Sequence, residues 1–545
     1  MARSAMDVSN KRIRPMRGAD IIAKKLADAG CKTAFGIPGG EVLTVLDGLR
    51  EADINFVLVK HENAGGFMAE GAWHATGAPA ILVATIGPGV ANAVNVIANA
   101  MQDRVPMIFI TGCVDGAEAE TYTHQVFDHQ QMLRPIVKAS FRANEGAIGV
   151  MMDKAISIAT SGQPGPVHID LPINVAQSES ETEYTPLASL PKQGLPAAGL
   201  IFEVQGRIAA AKKPIVIAGV DALNEGADVS HFCKTLNIPM IATYKAKGML
   251  DERDPLSLGG GGLSPKADGV LLPLIEEADL VLLLGYDPIE MRVGWRNPWP
   301  AEKAVEITSS LRTHGMHTAG TTLMGDVAAT TASLANADGG KYWVDGEVEK
   351  ARATLKEMFA AGGGDFGPEH VFATLREAAP ENTVITADSG AHRILVSQMW
   401  ECINPRTMLQ SSALCTMGCA VPLAAGYKYE SPDTPTIAFV GDAGFEMMMG
   451  DLSTLRDMKT PVIICVLVDE SLGLIEIKQR AMQLPNNGVD FSGTDFPKVA
   501  EGFGGHGVWI DDVATLRTEF EAALERDTFT VLCPRIGRQA YNGKF

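Results

Sequence analysis

The chain has 545 residues, 46% hydrophobic and 20% charged, which is enough apolar sequence for several cores and suggests roughly three or four domains. Its formal net charge of −19 denies it the positive field that nucleic-acid or anionic-membrane binding requires. No apolar run reaches bilayer length, and the longest, such as Leu280 to Leu284, suit buried parallel strands, so the expected partners are small molecules and copies of itself.

The first 16 residues mix Arg3, Lys11, Arg12 and Arg14 with polar residues and have no apolar core, so residues 1–16 read as a flexible segment rather than a secretory signal. Eight scattered cysteines then imply reduced thiols and a cytoplasmic setting. Val57 to Val59 forms a short strand that runs through Lys60-His61-Glu62-Asn63-Ala64 into a small-residue helical stretch, Gly65 to Thr76. Taken alone, Glu62 could be a helix-capping acid, although glutamate is a mediocre cap. A second strand, Ile81 to Thr85, is closed by Gly87-Pro88-Gly89 and followed by Asn92. Thr123-His124-Gln125 lies upstream of Arg134-Pro135-Ile136-Val137-Lys138, and a lone loop histidine is as often solvated as functional.

Ser178 to Gly199 is polar and then proline-rich, and Asn336 to Lys341 is small and polar, so both read as linkers. Between them, Pro214 to Gly219 reads as a strand leading into a glycine-containing loop, Val220 to Gly226. The block lacks a full Gly-x-Gly-x-x-Gly, so no FAD is expected. Strand runs alternate with helical patterns throughout, which gives an α/β chain of three doubly wound domains with mainly parallel sheets, over residues 17–180, 198–336 and 350–545.

In the third block the strand Val384 to Thr386 leads into Asp388-Ser389-Gly390-Ala391-His392, and Cys415-Thr416-Met417-Gly418 precedes a small-residue helix from Ala420 to Tyr427. Met417 by itself would be core filler, and Cys415 with Cys419 is half a zinc pattern without a second pair, which favours packing. Thr436 to Val440 then delivers Asp442 into the tight turn Gly441-Asp442-Ala443-Gly444-Phe445, and Val462 to Val468 delivers Asp469. Parallel neighbours would bring the two carboxylates together, an oxygen-ligand arrangement that suits Mg²⁺ bridged to a diphosphate. Acid-glycine turns also commonly do no more than reverse a chain, and the clamp gains weight from the distant Glu62 element.

Together these elements resemble the thiamine diphosphate enzymes of the acetolactate synthase and pyruvate oxidase superfamily, from about Met16 to the C-terminus. The resemblance implies pyrimidine-binding, central and diphosphate-binding domains in that order. Glu62 would hydrogen-bond the cofactor aminopyrimidine, with Pro88 and Asn92 in the same wall. Met417 would wedge between the two rings. Gly390, His392, Gly441, Ala443 and Gly444 would surround the diphosphate, while Asp442, Asp469 and the Ser471 main-chain carbonyl would hold Mg²⁺. His124 and Gln125 would reach the carbonyl substrate, with His124 as a proton donor.

Several departures narrow the branch. The chain has Gly-Asp-Ala for the commoner Gly-Asp-Gly, and Val468-Asp469 for Asn-Asn. A charge pair about 4 Å apart is worth on the order of 4 kcal/mol at an effective dielectric of 20, so the added acid attracts the metal and repels the diphosphate. Asp469, His124-Gln125 and the Tyr286-Asp287-Pro288-Ile289-Glu290 segment resemble the catabolic, flavin-free acetolactate synthases. Lys478 stands where biosynthetic relatives commonly carry tryptophan, and reads either as an anion contact or as a solvated helix residue. The implied reaction is decarboxylation of pyruvate or a similar 2-oxoacid and carboligation to a second carbonyl. The alternatives are another thiamine diphosphate lyase, decarboxylase or diketone hydrolase, or a non-catalytic cofactor-binding paralogue. The implied assembly is a homodimer at minimum, commonly a homotetramer.

Overall fold

The computed structural model describes residues 16–180, 184–189, 193–224, 229–289, 291–312 and 314–545, with Asn224 in its backbone only. The N-terminal segment expected at 1–16 lies outside these residues except for Met16, and so do parts of the first expected linker, Gly226 and Glu290. Three six-stranded sheets, parallel throughout, each carry helices on their faces. Their strands are short apolar runs buried on both sides, as Leu280–Leu284 and Ile463–Leu467 show, which is what a sheet covered by crossover helices selects.

The first sheet runs in space Asn55–Leu58, Thr33–Ile37, Ala80–Ala84, Met107–Cys113, Val167–Pro172, Ala139–Arg142. The third runs Met408–Gln410, Val384–Ala387, Thr436–Gly441, Ile463–Leu467, Thr530–Pro534, His506–Ile510. Numbered within each domain, both have the order 2-1-3-4-6-5, so their first and third strands flank a point where the winding reverses. The central sheet, Ser257–Gly260, Met240–Ala242, Pro214–Ala218, Leu280–Leu284, Ala304–Thr308, Thr321–Met324, has the order 3-2-1-4-5-6. Ligands of such sheets bind outside the carboxyl ends of the strands at the reversal point.

Local boundaries differ from the sequence reading in three places. The helix expected from Gly65 begins at Glu62, because His61 occupies the cap and its Nδ1 accepts the Asn63 N–H at 3.1 Å. The turn expected at Gly441 is the opening of a short helix, Asp442–Glu446. Val220 does not start a loop but a short helix, Val220–Asn224. After the second expected linker, Tyr342 donates to Ile208 O and Trp343 to Pro214 O, which ties this segment to the central sheet.

The first and third domains of one chain meet backbone to backbone. Helix Glu62–Thr76 lies against helix Ala420–Glu430, where a Cβ on Gly71 would overlap Leu423 O and a Cβ on Gly426 would overlap Met68 O. Only a residue without a Cβ allows that approach. Around it, Asp451 Oδ1 accepts the Lys60 N–H at 2.9 Å, and Asp103 accepts the Ser412 and Ala413 N–H groups, both at 2.8 Å. Lys245 of the central domain joins Asp103 at 3.3 Å, so all three domains share this junction.

Gly426→Ala is expected to destabilise the protein by about 3 kcal/mol, at the upper end for an overpacked core, because the obstacle is backbone. Gly206→Ala, in helix Ala198–Ala210 with nothing near its added Cβ, is expected to stabilise by about 0.5–1 kcal/mol. Urea melts of the two variants against the parent check both signs.

Candidate active site

The reversal point of the third sheet opens into a cavity of about 110 Å³. Strand Val384–Ala387 ends at Asp388, whose carboxylate ties the surrounding loops together. Its Oδ1 lies 2.8 Å from His392 Nε2, and its Oδ2 accepts the Gly418 N–H at 2.6 Å. A Cβ on Gly444 would overlap the same Oδ2, so glycine there lets the helix Asp442–Glu446 sit against the hub. The sequence reading named the loop that Asp388 opens but gave this residue no role. An acid at a strand end two residues before a glycine is the signal that was available.

Strands Thr436–Gly441 and Ile463–Leu467 pair in parallel, and their ends bring Asp442 and Asp469 together. Asp442 Oδ2 accepts the N–H groups of Asp469 at 3.1 Å and Glu470 at 2.7 Å, while Oδ1 accepts that of Ala443 at 2.9 Å. Burial nonetheless raises the Asp442 carboxyl above its ordinary range against those bonds. Asp469 is pushed further, up to about 8, by burial and then by the neighbouring charge of Asp442. Two buried carboxylates with so few countercharges form a set of hard oxygen donors suited to a divalent cation. Ser471 lines the same cavity, its hydroxyl bonded to Asp490 Oδ1 at 2.9 Å. Gly390, His392, Met417, Gly441, Ala443 and Gly444 line it too, so the third-domain residues expected at the cofactor and metal fall in one cavity.

The first-domain candidates form a second cluster. Glu62 is 4% exposed, and its Oε2 accepts from Asn92 Nδ2 at 3.0 Å. Oε1 faces Gly89, where a Cβ would stand 3.2 Å away, so the turn Gly87-Pro88-Gly89 packs directly on the carboxylate. Gln125 holds a left-handed φ of 61° with its backbone against Gly87, and His124 beside it is exposed. None of these residues lines the third-domain cavity. Exposed apolar side chains lie at each cluster: Tyr122, whose ring is 6.4 Å from that of His124, and Phe127, 4.8 Å from His129, on the first domain, and Ile475, which lines the cavity, on the third. Lys478 is exposed and outside the cavity lining, as a solvated helix residue would be. Cys415 and Cys419 donate to different carbonyls, Ser412 O and Thr416 O, in keeping with packing rather than metal binding.

The fold places a buried carboxylate cluster on the first domain and a buried acid pair at the reversal point of the third, within a chain of three α/β domains. Models of the thiamine pyrophosphate enzymes match the N-terminal TPP binding domain at residues 16–132, the central domain at 201–334 and the C-terminal TPP binding domain at 388–533. The chain is 31% identical over 525 residues to the acetolactate synthase isozyme 1 large subunit of Escherichia coli (strain K12), across 92% of this chain and 90% of that protein. It is 27% identical over 508 residues to the acetolactate synthase of Bacillus subtilis (strain 168), across 91% and 89%. It is 29% identical over 524 residues to the probable acetolactate synthase large subunit of Methanocaldococcus jannaschii, across 90% and 86%. The chain belongs to the thiamine pyrophosphate enzymes, and all three of these relatives bear the name acetolactate synthase.

The raised Asp469 carboxyl has a signed consequence for stability without metal. A carboxyl raised in the folded state favours folding at low pH, and that contribution is lost as pH climbs from its unfolded value of 3.8 toward about 8. Asp469→Asn is therefore expected to gain stability over the parent progressively across that window and to hold a constant advantage above pH 8. Thermal melts in chelator across pH 5–9 check this.

Proposed function

We propose that this enzyme decarboxylates pyruvate or a similar 2-oxoacid and ligates the resulting two-carbon unit to a second carbonyl, as an acetolactate synthase does. The observation that carries the reading is the Asp442–Asp469 pair, buried at the ends of adjacent parallel strands in the cavity that Met417 also lines. That donor set fits Mg²⁺ and the diphosphate of the cofactor: Asp442, Asp469 and Ser471 would hold the metal, and Gly390, His392, Gly441, Ala443 and Gly444 would border the phosphates. When bound, thiamine diphosphate supplies the nucleophilic carbon and electron sink for cleavage next to a carbonyl.

The chain's own residues supply the rest. Glu62 would hold or accept a proton at a pyrimidine ring nitrogen, steadied by Asn92 at 3.0 Å. Gly89 closes one side of that carboxylate and would limit access of water, and Pro88 would stand in the same wall. Met417 would hold the cofactor bent. His124 and Gln125, on an exposed segment next to the Gly87 turn, would meet the substrate carboxylate or carbonyl. The absence of first-domain residues from the cavity, and the exposed apolar side chains at both clusters, support a site completed by two copies of the chain: the first domain of one subunit over the third domain of its partner. A dimer is then the minimum, and a tetramer is compatible.

Asp469, His124-Gln125 and the lysine at 478 favour the catabolic type of acetolactate synthase. We assign no flavin. The reversal point of the central sheet is occupied by protein: Arg312 bridges Asp221 at 2.9 Å and Asp287 at 3.0 Å, and Arg104 reaches Asp287 at 2.8 Å. There Gly219 and Gly285 stand so close that a Cβ on the first would lie 2.6 Å from the second's carbonyl oxygen. Among the described residues no helix is long and apolar enough to cross a membrane, which accords with a cytoplasmic enzyme.

With thiamine diphosphate, Mg²⁺ and pyruvate, the protein is expected to release CO₂ and form acetolactate. Glu62→Gln is expected to lower kcat by about 10²–10⁴-fold, the usual contribution of a positioned acid-base group. Coupled CO₂ and acetolactate assays check both. Absence of either product in the parent would contradict the synthase reading, and full turnover by Glu62→Gln would contradict the role given to the glutamate.

A further inference from the structure

Beneath the Glu62 cluster lies a buried polar chain that the reading above does not use. Thr111 Oγ1 donates to Asp170 Oδ1 at 2.9 Å, a charge-assisted bond that takes its only hydroxyl hydrogen. It must then accept from His168 Nε2, 2.8 Å away. Burial lowers His168 to about 4, so this imidazole is neutral; with its hydrogen on Nε2, Nδ1 accepts from Ser140 Oγ at 2.8 Å. Ser140 in turn accepts from Gln130 Nε2 at 3.1 Å. Every donor in the chain has one direction, and the chain converges on Asp170.

The other end leads to the site. Asp170 Oδ1 also lies 2.9 Å from His129 Nδ1, and His129 Nε2 receives the Gly87 N–H at 3.2 Å. A backbone N–H can only donate, so Nε2 must be bare and the hydrogen must sit on Nδ1, pointing at Asp170. His129 is 3% exposed, and no water is needed to account for either of its nitrogens. The groups facing it are Asp170 and His168 on strand Val167–Pro172, Thr111 on Met107–Cys113, Arg142 with Nη1 3.9 Å from Asp170, and the Phe127 ring at 4.8 Å. Gly87, the residue it grips, opens the turn whose Gly89 packs on Glu62 and whose own α-carbon packs on Gln125. One imidazole thus fixes the turn that borders both the proton-handling carboxylate and the substrate-facing segment.

We infer that His129, held by Asp170 as the Nδ1–H tautomer, is a positioning residue that sets the Gly87-Pro88-Gly89 turn against Glu62 and Gln125. The inference rests on the reading of Glu62 given above. It has the logic by which an aspartate fixes the tautomer of a catalytic histidine, except that here the bare nitrogen grips backbone instead of a nucleophile.

The test uses variants that separate the two nitrogens. An asparagine amide reaches the Nδ1 position and a glutamine amide the Nε2 position, so His129→Asn removes the acceptor for Gly87 while His129→Gln restores it. The readout is hydrogen–deuterium exchange at C2 of thiamine diphosphate bound to the full enzyme with Mg²⁺, which requires Glu62 and no substrate. His129→Asn is expected to slow this exchange and kcat by about 10²-fold, the scale of a misplaced group, with the KM for pyruvate changed little. His129→Gln is expected to recover most of the rate. Asp170→Asn keeps the imidazole but offers Nδ1 an amide donor, so it favours the wrong tautomer and should match His129→Asn. It provides the same test should His129→Asn not fold. Exchange at the parental rate in folded His129→Asn or Asp170→Asn, or equal losses in the asparagine and glutamine variants, would overturn the inference. Glu62→Gln separates the two readings: exchange that survives it overturns the role of Glu62 and this inference with it, whereas exchange lost in Glu62→Gln but intact in the His129 and Asp170 variants overturns this inference alone.

Discussion

The contact on which the molecule depends is the crossing of helices Glu62–Thr76 and Ala420–Glu430 through Gly71 and Gly426. Each helix has an active-site candidate at its N-terminal end, Glu62 on one and Met417 just before the other. Because the crossing is backbone on backbone, neither helix can slide or rotate without collision, and both ends inherit that rigidity. A short polar bridge follows the same path: Asn95 donates to Asn63 at 3.0 Å and accepts from Thr416 at 3.4 Å. Two half-sites are thereby held at a fixed spacing in one chain although they do not line a common cavity.

Electrostatics divides the half-sites by task. On the third domain, burial and mutual charge make the ionised acid pair unfavourable, and in the proposed reading a cation would relieve that cost. On the first domain, the polar groups are paired and directional: Glu62 with Asn92, Asp170 with Thr111 and His129. The junction follows the same economy. Burial pushes Glu70 up to about 8, while Asn99 donates to it at 3.0 Å and Lys245 stands near enough to oppose the shift.

Much of the third-domain site could be read from the sequence because its chemistry sits at strand ends, and strand ends are legible. An apolar run of five or six residues followed by Asp and Gly fixes both the element and the face on which the acid emerges. The Asp442 and Asp469 strands are neighbours in the sheet, as their spacing implied. Asp388 was harder to assign, since its role comes from Gly418 and Gly444, which are distant in sequence from it. His129 was invisible for the same reason: its partners are Gly87, in a turn, and Asp170, on strand Val167–Pro172, both distant in sequence, and no local pattern marks a histidine that accepts from a turn. The glycines at 71 and 426 likewise reveal themselves only in the packed pair, since an interior helical glycine has no sequence signature beyond its cost.

In the shared site proposed above, Glu62 of one subunit works with Asp442 and Asp469 of another. Differently tagged Glu62→Gln and Asp442→Asn chains, co-expressed and purified as the mixed dimer, test it directly. Each variant alone should be inactive, while the mixed dimer contains one doubly altered site and one intact site and should recover about half the parental activity per dimer. A mixed dimer as inactive as its parents would contradict the shared site and place both residues in a single chain's own active site.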